Sequence, residues 1–149
     1  MKNTRNQNIK TLIVVAIIAV ITVSCGDKPN PQEEQTQHTI TLDFTAAFPH
    51  HTEVAASVKV HEWNPETGEF VDKTVNCEIS ESHPTCLITS NSNSMLYDCY
   101  VSYIDLSNTP YSKHAKFGSM DGTDKTYEIA FDRDKTYYWN DNAQYMVLR

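Results

Sequence analysis

Three side chains able to hold a metal ion, His50, His51 and Glu53, fall within four positions in the run Pro49-His50-His51-Thr52-Glu53. Imidazole and carboxylate bind zinc-like metals only when they converge on one point. Neighbouring residues of an extended chain face opposite ways, so His50 and His51 are not expected to share an ion. His61 and Glu62 face apart for the same reason. Four cysteines, Cys25, Cys77, Cys86 and Cys99, offer thiol chemistry. A thiolate beside His83 or His114 would make a nucleophile. Cys77, Cys86, Cys99 and His83 would make a zinc set, but the close cysteine spacing usual for structural zinc is missing from the sequence. Asp121-Gly122-Thr123-Asp124, Asp132-Arg133-Asp134 and Asn140-Asp141-Asn142 are dense in calcium-type oxygen ligands, yet none follows the EF-hand loop pattern. Serine nucleophile elbows and glycine-rich phosphate loops do not occur. The expectation is a chain with no catalytic residue, no metal and no cofactor. A small metal-dependent hydrolase is the enzymatic alternative, without a recognisable catalytic set.

Cys25 has a different setting. Lys2, Arg5 and Lys10 make a basic start, residues 12–23 are apolar except Thr22, and Ser24-Cys25-Gly26-Asp27 follows. That order describes a secretory signal peptide. The apolar run is shorter than the ~20 residues a membrane-spanning helix needs. Val23-Ser24-Cys25-Gly26 resembles the lipobox of bacterial lipoproteins, with Thr22 where leucine is usual. The resemblance implies that the Cys25 thiol receives a diacylglyceryl group and that residues 1–24 are removed. It implies a lipoprotein of the bacterial cell envelope, periplasmic or surface-facing, with the membrane as partner through that lipid.

Removal of residues 1–24 leaves nine lysines and arginines against nineteen aspartates and glutamates, a net of −10. Such a polyanion repels phosphate backbones, so nucleic acid is not an expected partner. Residues 25–37 carry two prolines and no aliphatic side chain, the composition of a solvated tether. An exported chain also meets oxidising conditions, which favour one disulfide among Cys77, Cys86 and Cys99. Three pairings are open. The turn-like Ser80-Glu81-Ser82-His83-Pro84 favours Cys77 with Cys86, and Cys99 shares a strand face with large apolar neighbours.

Residues 38–149 form the expected folded domain. Ile40, Leu42 and Phe44 alternate with polar residues, and so do Val54, Ala56, Val58 and Val60, the period of half-buried strands. Asn64-Pro65-Glu66-Thr67-Gly68 is a turn, predicting a hairpin of residues 54–63 against 69–77. Tyr97, Cys99, Val101 and Tyr103 predict one face of a strand over residues 95–104. Residues 105–124 form either a functional loop or a weak strand near residues 115–117. Tyr127, Ile129 and Phe131 alternate again, and the last strands span residues 136–139 and 144–148. No stretch shows capped helical periodicity. The class is all-β, an antiparallel sandwich of seven or eight short strands. Residues 56–61 with 70–74, 97–103 and 127–131 with Tyr137 resemble the immunoglobulin-like and transthyretin-like sandwiches, a resemblance that implies architecture and no particular activity.

Aromatic residues remain as candidate contacts, because tyrosine and tryptophan combine large area with a polar tip. Tyr137-Tyr138-Trp139 must send at least one ring outward if it is a strand. Tyr111, in residues 107–124, and Trp139, in residues 137–142, are the candidate binding residues. The expected function is that of a lipid-anchored, non-enzymatic sandwich that binds an envelope protein partner or serves as an accessory assembly component. The alternative within binding proteins is an inhibitor or protective lipoprotein that blocks a cationic foreign enzyme.

Overall fold

The computed structural model describes residues 35–149. Cys25, residues 1–24 and most of the expected tether lie outside the described residues. Eleven strands follow one another: β1 (Gln37–Asp43), β2 (His51–Asn64), β3 (Glu69–Ile79), β4 (Thr85–Asn91), β5 (Met95–Asp105), β6 (Pro110–His114), β7 (Phe117–Gly118), β8 (Lys125–Thr126), β9 (Ile129–Ala130), β10 (Lys135–Asn140) and β11 (Tyr145–Leu148). A single 3-10 turn, Thr45–Ala47, separates β1 from β2. One sheet runs β4-β1-β10-β11-β7-β8; the other runs β3-β2-β5-β6, with β9 also paired to β5. The two sheets share one core, so the all-β sandwich is the fold.

Alternation drives the packing. Ile40 and Leu42 of β1, Ile88 of β4 and Met146 of β11 meet Val58 and Val60 of β2 and Leu96 and Val101 of β5 in one buried cluster. Each such aliphatic side chain contributes about 1.5–3 kcal/mol when fully buried. The hairpin between β2 and β3 pairs from Val54↔Ile79 to Asn64↔Glu69. Its turn closes where Gly68, at φ +69°, donates its N–H to the Asn64 carbonyl at 2.8 Å. The Asn64 side chain also accepts from the Glu66 N–H at 2.9 Å.

The pairing is not purely antiparallel as expected. β1 lies parallel to β10, and β11 lies parallel to β7. Parallel neighbours require a long crossover, and the entire second sheet provides it between β1 and β10. The strand count also exceeds seven or eight, because β7, β8 and β9 are two residues each. Residues 105–124 are not one loop: β6 and β7 lie within them.

Two interruptions of register re-aim side chains. β2 pairs His51 with Asp105 and Glu53 with Ile104, leaving Thr52 as an extra residue. The bulge resets the alternation, so His51 turns inward in place of Thr52. On β5, Lys59↔Asp98 is followed by Val60↔Leu96, leaving Tyr97 as the extra residue. Tyr97 therefore does not share the inner face with Cys99, Val101 and Tyr103 as the plain alternation predicts; Leu96 does.

Cys77 and Cys86 are bonded, with Cα atoms 5.7 Å apart. β3 and β4 are the edge strands of different sheets, so the bond staples one side of the sandwich. The Ser80–His83 pairing makes the turn between them. Cys99 is a buried free thiol, and burial, with a smaller effect of the Asp98 charge, pushes its pKa up to about 12.

Candidate functional site

One end of the sandwich gathers side chains from both sheets. The bulge at Thr52 places His51, only 9% exposed, beneath the turn that joins β10 to β11. That turn is tight: Gln144 sits at φ 54° and donates its N–H to the Asn140 carbonyl at 2.6 Å. The turn presents Asp141 inward. Asp141 Oδ1 lies 2.6 Å from His51 Nε2 and also accepts from Trp139 Nε1 at 3.1 Å. A carboxylate only accepts, so His51 Nε2 carries the proton given to Asp141. His51 Nδ1 is buried and has no hydrogen-bond partner among the described residues. The imidazole packs on Tyr103, ring centres 4.0 Å apart. Tyr103 in turn accepts a hydrogen bond from Gln144 Nε2 at 3.1 Å and faces Tyr111 at 5.4 Å. Burial, followed by the Asp141 charge, raises the Tyr103 pKa, so its hydroxyl stays neutral.

A groove of about 650 Å³ opens beside His51 and Tyr103. Glu53, Glu78 and Glu81 line it from β2, β3 and the turn after β3, and Leu106, Pro110 and Tyr111 line it from β6 and the turn before it. Leu106 is 70% exposed and Tyr111 44%. No lysine or arginine lines it.

Tyr111 therefore stands on an open surface, where a contact residue belongs. Trp139 does not. Its ring is 2% exposed, packed against Phe44 and Tyr103 in the core, with its N–H used by Asp141. The expectation that Trp139 forms a binding surface is corrected: alternation on β10 sends Tyr137 and Trp139 inward. Tyr138 is the ring that faces outward, with Arg149 above it at 4.5 Å. His50 is exposed and His51 buried, so the two do face apart. The role of His51 as the floor of an end-on cluster was not visible, because only the bulge turns it inward. Asp141 likewise read as one carboxylate in a solvated turn.

A second aromatic region covers the outside of the other sheet. Tyr100, His114 and Tyr127 are stacked at 4.8 and 4.1 Å, and His61 lies on Tyr97 at 3.9 Å. Asp98 sits between them, 3.1 Å from Lys59 and 2.7 Å from His114 Nε2, the latter without hydrogen-bond geometry. Tyr100 and Tyr127 each give one face to His114 and stay partly exposed, and Lys116 lies over the Tyr127 ring. Among the described residues, no three histidine, cysteine or acidic side chains gather as metal ligands.

No protein-family model matches the chain, and no curated protein matches it. A solved structure titled "NMR structure of the protein from Eubacterium rectale" is similar at 14% identity over 83% of this chain and 93% of that one, with a TM-score of 0.30.

Proposed function

We propose that this chain is a lipid-anchored, non-enzymatic β-sandwich of the bacterial cell envelope that holds a partner protein in the groove beside His51 and Tyr103. The observation that carries the reading is the groove itself: Leu106, in the turn after β5, and Tyr111, on β6, are exposed apolar residues along it, and large exposed side chains make effective contacts. The lipobox-like Val23-Ser24-Cys25-Gly26 supports the anchor, and the acidic charge supports a protein rather than a nucleic-acid partner. His51 and Asp141 make a dyad, but the remaining His51 nitrogen is buried and meets no hydroxyl or thiol, which favours a structural role for the pair. The groove's carboxylates give some support to a second reading, a protective lipoprotein that blocks a cationic foreign enzyme.

Two experiments test the proposal. Cys25→Ala is expected to abolish palmitate labelling and move the protein out of the membrane fraction; unchanged labelling and fractionation overturn the anchor. Affinity capture from detergent-solubilised envelope is expected to retain a stoichiometric partner with the native protein and lose it with Tyr111→Ala. Capture of a basic secreted enzyme whose activity falls would favour the second reading. Capture unaffected by Tyr111→Ala overturns the groove as the contact surface.

A further inference from the structure

We infer that the segment this groove receives is an extended stretch of a partner protein carrying arginine or lysine beside apolar side chains. The inference rests on the groove being a binding surface and names the chemistry of its occupant.

The first observation is charge left uncompensated. Asp98 pairs with Lys59, Glu62 with Lys73 and Asp132 with Lys135, while Glu66, Glu69 and Glu128 also stand without an ion pair among the described residues; what distinguishes Glu53, Glu78 and Glu81 is that they share one groove. Glu53, Glu78 and Glu81 take part in no ion pair among the described residues, and no lysine or arginine shares their groove. Three carboxylates around one groove with no basic side chain among its lining favour a cationic occupant.

The second observation is independent of charge. His51 lies nine-tenths buried along the same groove with its Nε2 proton given to Asp141, so the floor of the groove is already engaged and the open contact surface lies beside it. Leu106 and Tyr111 of the same groove are apolar and exposed, and a tyrosine face also attracts guanidinium. A bare metal ion does not fit, because the carboxylates come from separate strands and do not converge with a third ligand. What remains is a cation with spread-out charges and an apolar flank, which is a basic peptide segment.

The test titrates the purified domain with a short fluorescein-labelled peptide of repeated Arg-Leu-Ser, and with the same peptide bearing glutamate for arginine. Saturable binding of the basic peptide is expected, with none of the acidic one. Combined Glu53→Gln, Glu78→Gln and Glu81→Gln should weaken it by about tenfold, since each exposed ion pair is individually modest. A control carrying Glu66→Gln, Glu69→Gln and Glu128→Gln removes the same charge away from the groove and should change it by less than about twofold. Equal loss in both triple variants means diffuse attraction and overturns the inference, as does binding of the acidic peptide. Envelope capture separates the two levels. If Tyr111→Ala abolishes capture and the groove glutamines do not, the groove stands as a contact surface and its charge assignment falls. If neither changes capture, both fall.

Discussion

Trp139 and Tyr111 lie at the same end of the molecule, each within reach of Tyr103, and do opposite things. Trp139 belongs to β10, an inner strand with β1 on one side and β11 on the other. Its ring is covered by Phe44 and Tyr103, and its one polar atom is bound by Asp141. Tyr111 belongs to β6, an edge strand, and rests one face on Tyr103 while the rest looks into the groove. Both are aromatic residues of alternating strands near polar turns. What separates them is the presence of a second sheet above the ring, which depends on strand order and not on local sequence.

Substitutions can sharpen that difference. Trp139→Ala is expected to cost about 3–5 kcal/mol, the range for emptying a large aromatic site in a packed core. Thermal or urea unfolding checks this, and a loss under about 1 kcal/mol would put the ring at the surface after all. Removal of the edge staple should follow: Cys77→Ala with Cys86→Ala opens a loop of roughly ten residues, worth about 2–3 kcal/mol in the chain-entropy view. Alkylation sharpens the cysteine contrast, because native protein without reductant should show no reactive thiol in the domain and unfolded protein should show Cys99. Asp141→Asn keeps the shape but weakens two hydrogen bonds at once, an expected cost of about 1–3 kcal/mol with the Trp139 indole N–H resonance shifted. Tyr111→Ala should stay within about 1 kcal/mol of the native protein in stability while losing the partner. Equal losses of stability at positions 111 and 139 would erase the distinction.

The smallest effect concerns acid. Asp105 caps the turn beside Leu106, and its carboxyl is held below the ordinary value of 3.8, first by the Ser107 hydroxyl and then by the Thr109 N–H. A carboxyl depressed in the folded state contributes stability above its unfolded pKa and loses it as pH falls through the folded one. The contribution is thus complete at neutral pH and fades only below about 3.8. Ser107→Ala should lower stability slightly at neutral pH and flatten the profile in that acid range, so that variant and native protein converge once pH falls below the folded pKa.

The strands themselves were legible. Period-two patterns at residues 40–44, 54–60 and 99–103, and the Asn64-to-Gly68 turn, describe real elements because burial on one face writes itself into the sequence. The Cys77–Cys86 bond followed from the turn between the two cysteines. The two bulges were not legible, since an extra residue carries no composition of its own and is defined only against its neighbour strand. The error of facing at Tyr97, which points outward, stems from one of them, and the inward turn of His51 stems from the other. The groove was half visible: Tyr111 stood out, whereas Glu53, Glu78 and Glu81 come from three places that only the topology unites.

The position of β1 also governs the order in which the molecule can be assembled. Residues 37–43 are seated between β4, some fifty positions later, and β10, nearly a hundred positions later. The four main strands β3-β2-β5-β6 all lie before residue 115, interrupted only by β4, and can pair while the last strands are still missing. The first strand has no such option: one of its two edges stays bare until almost the whole chain has been delivered. Contacts this distant in sequence form late and slowly. For a polypeptide that is threaded through a membrane before it folds, as the proposed export requires, that delay works as a built-in safeguard. The strand nearest the leading end cannot lock prematurely, and the finished sheet is itself the signal that the whole chain has arrived.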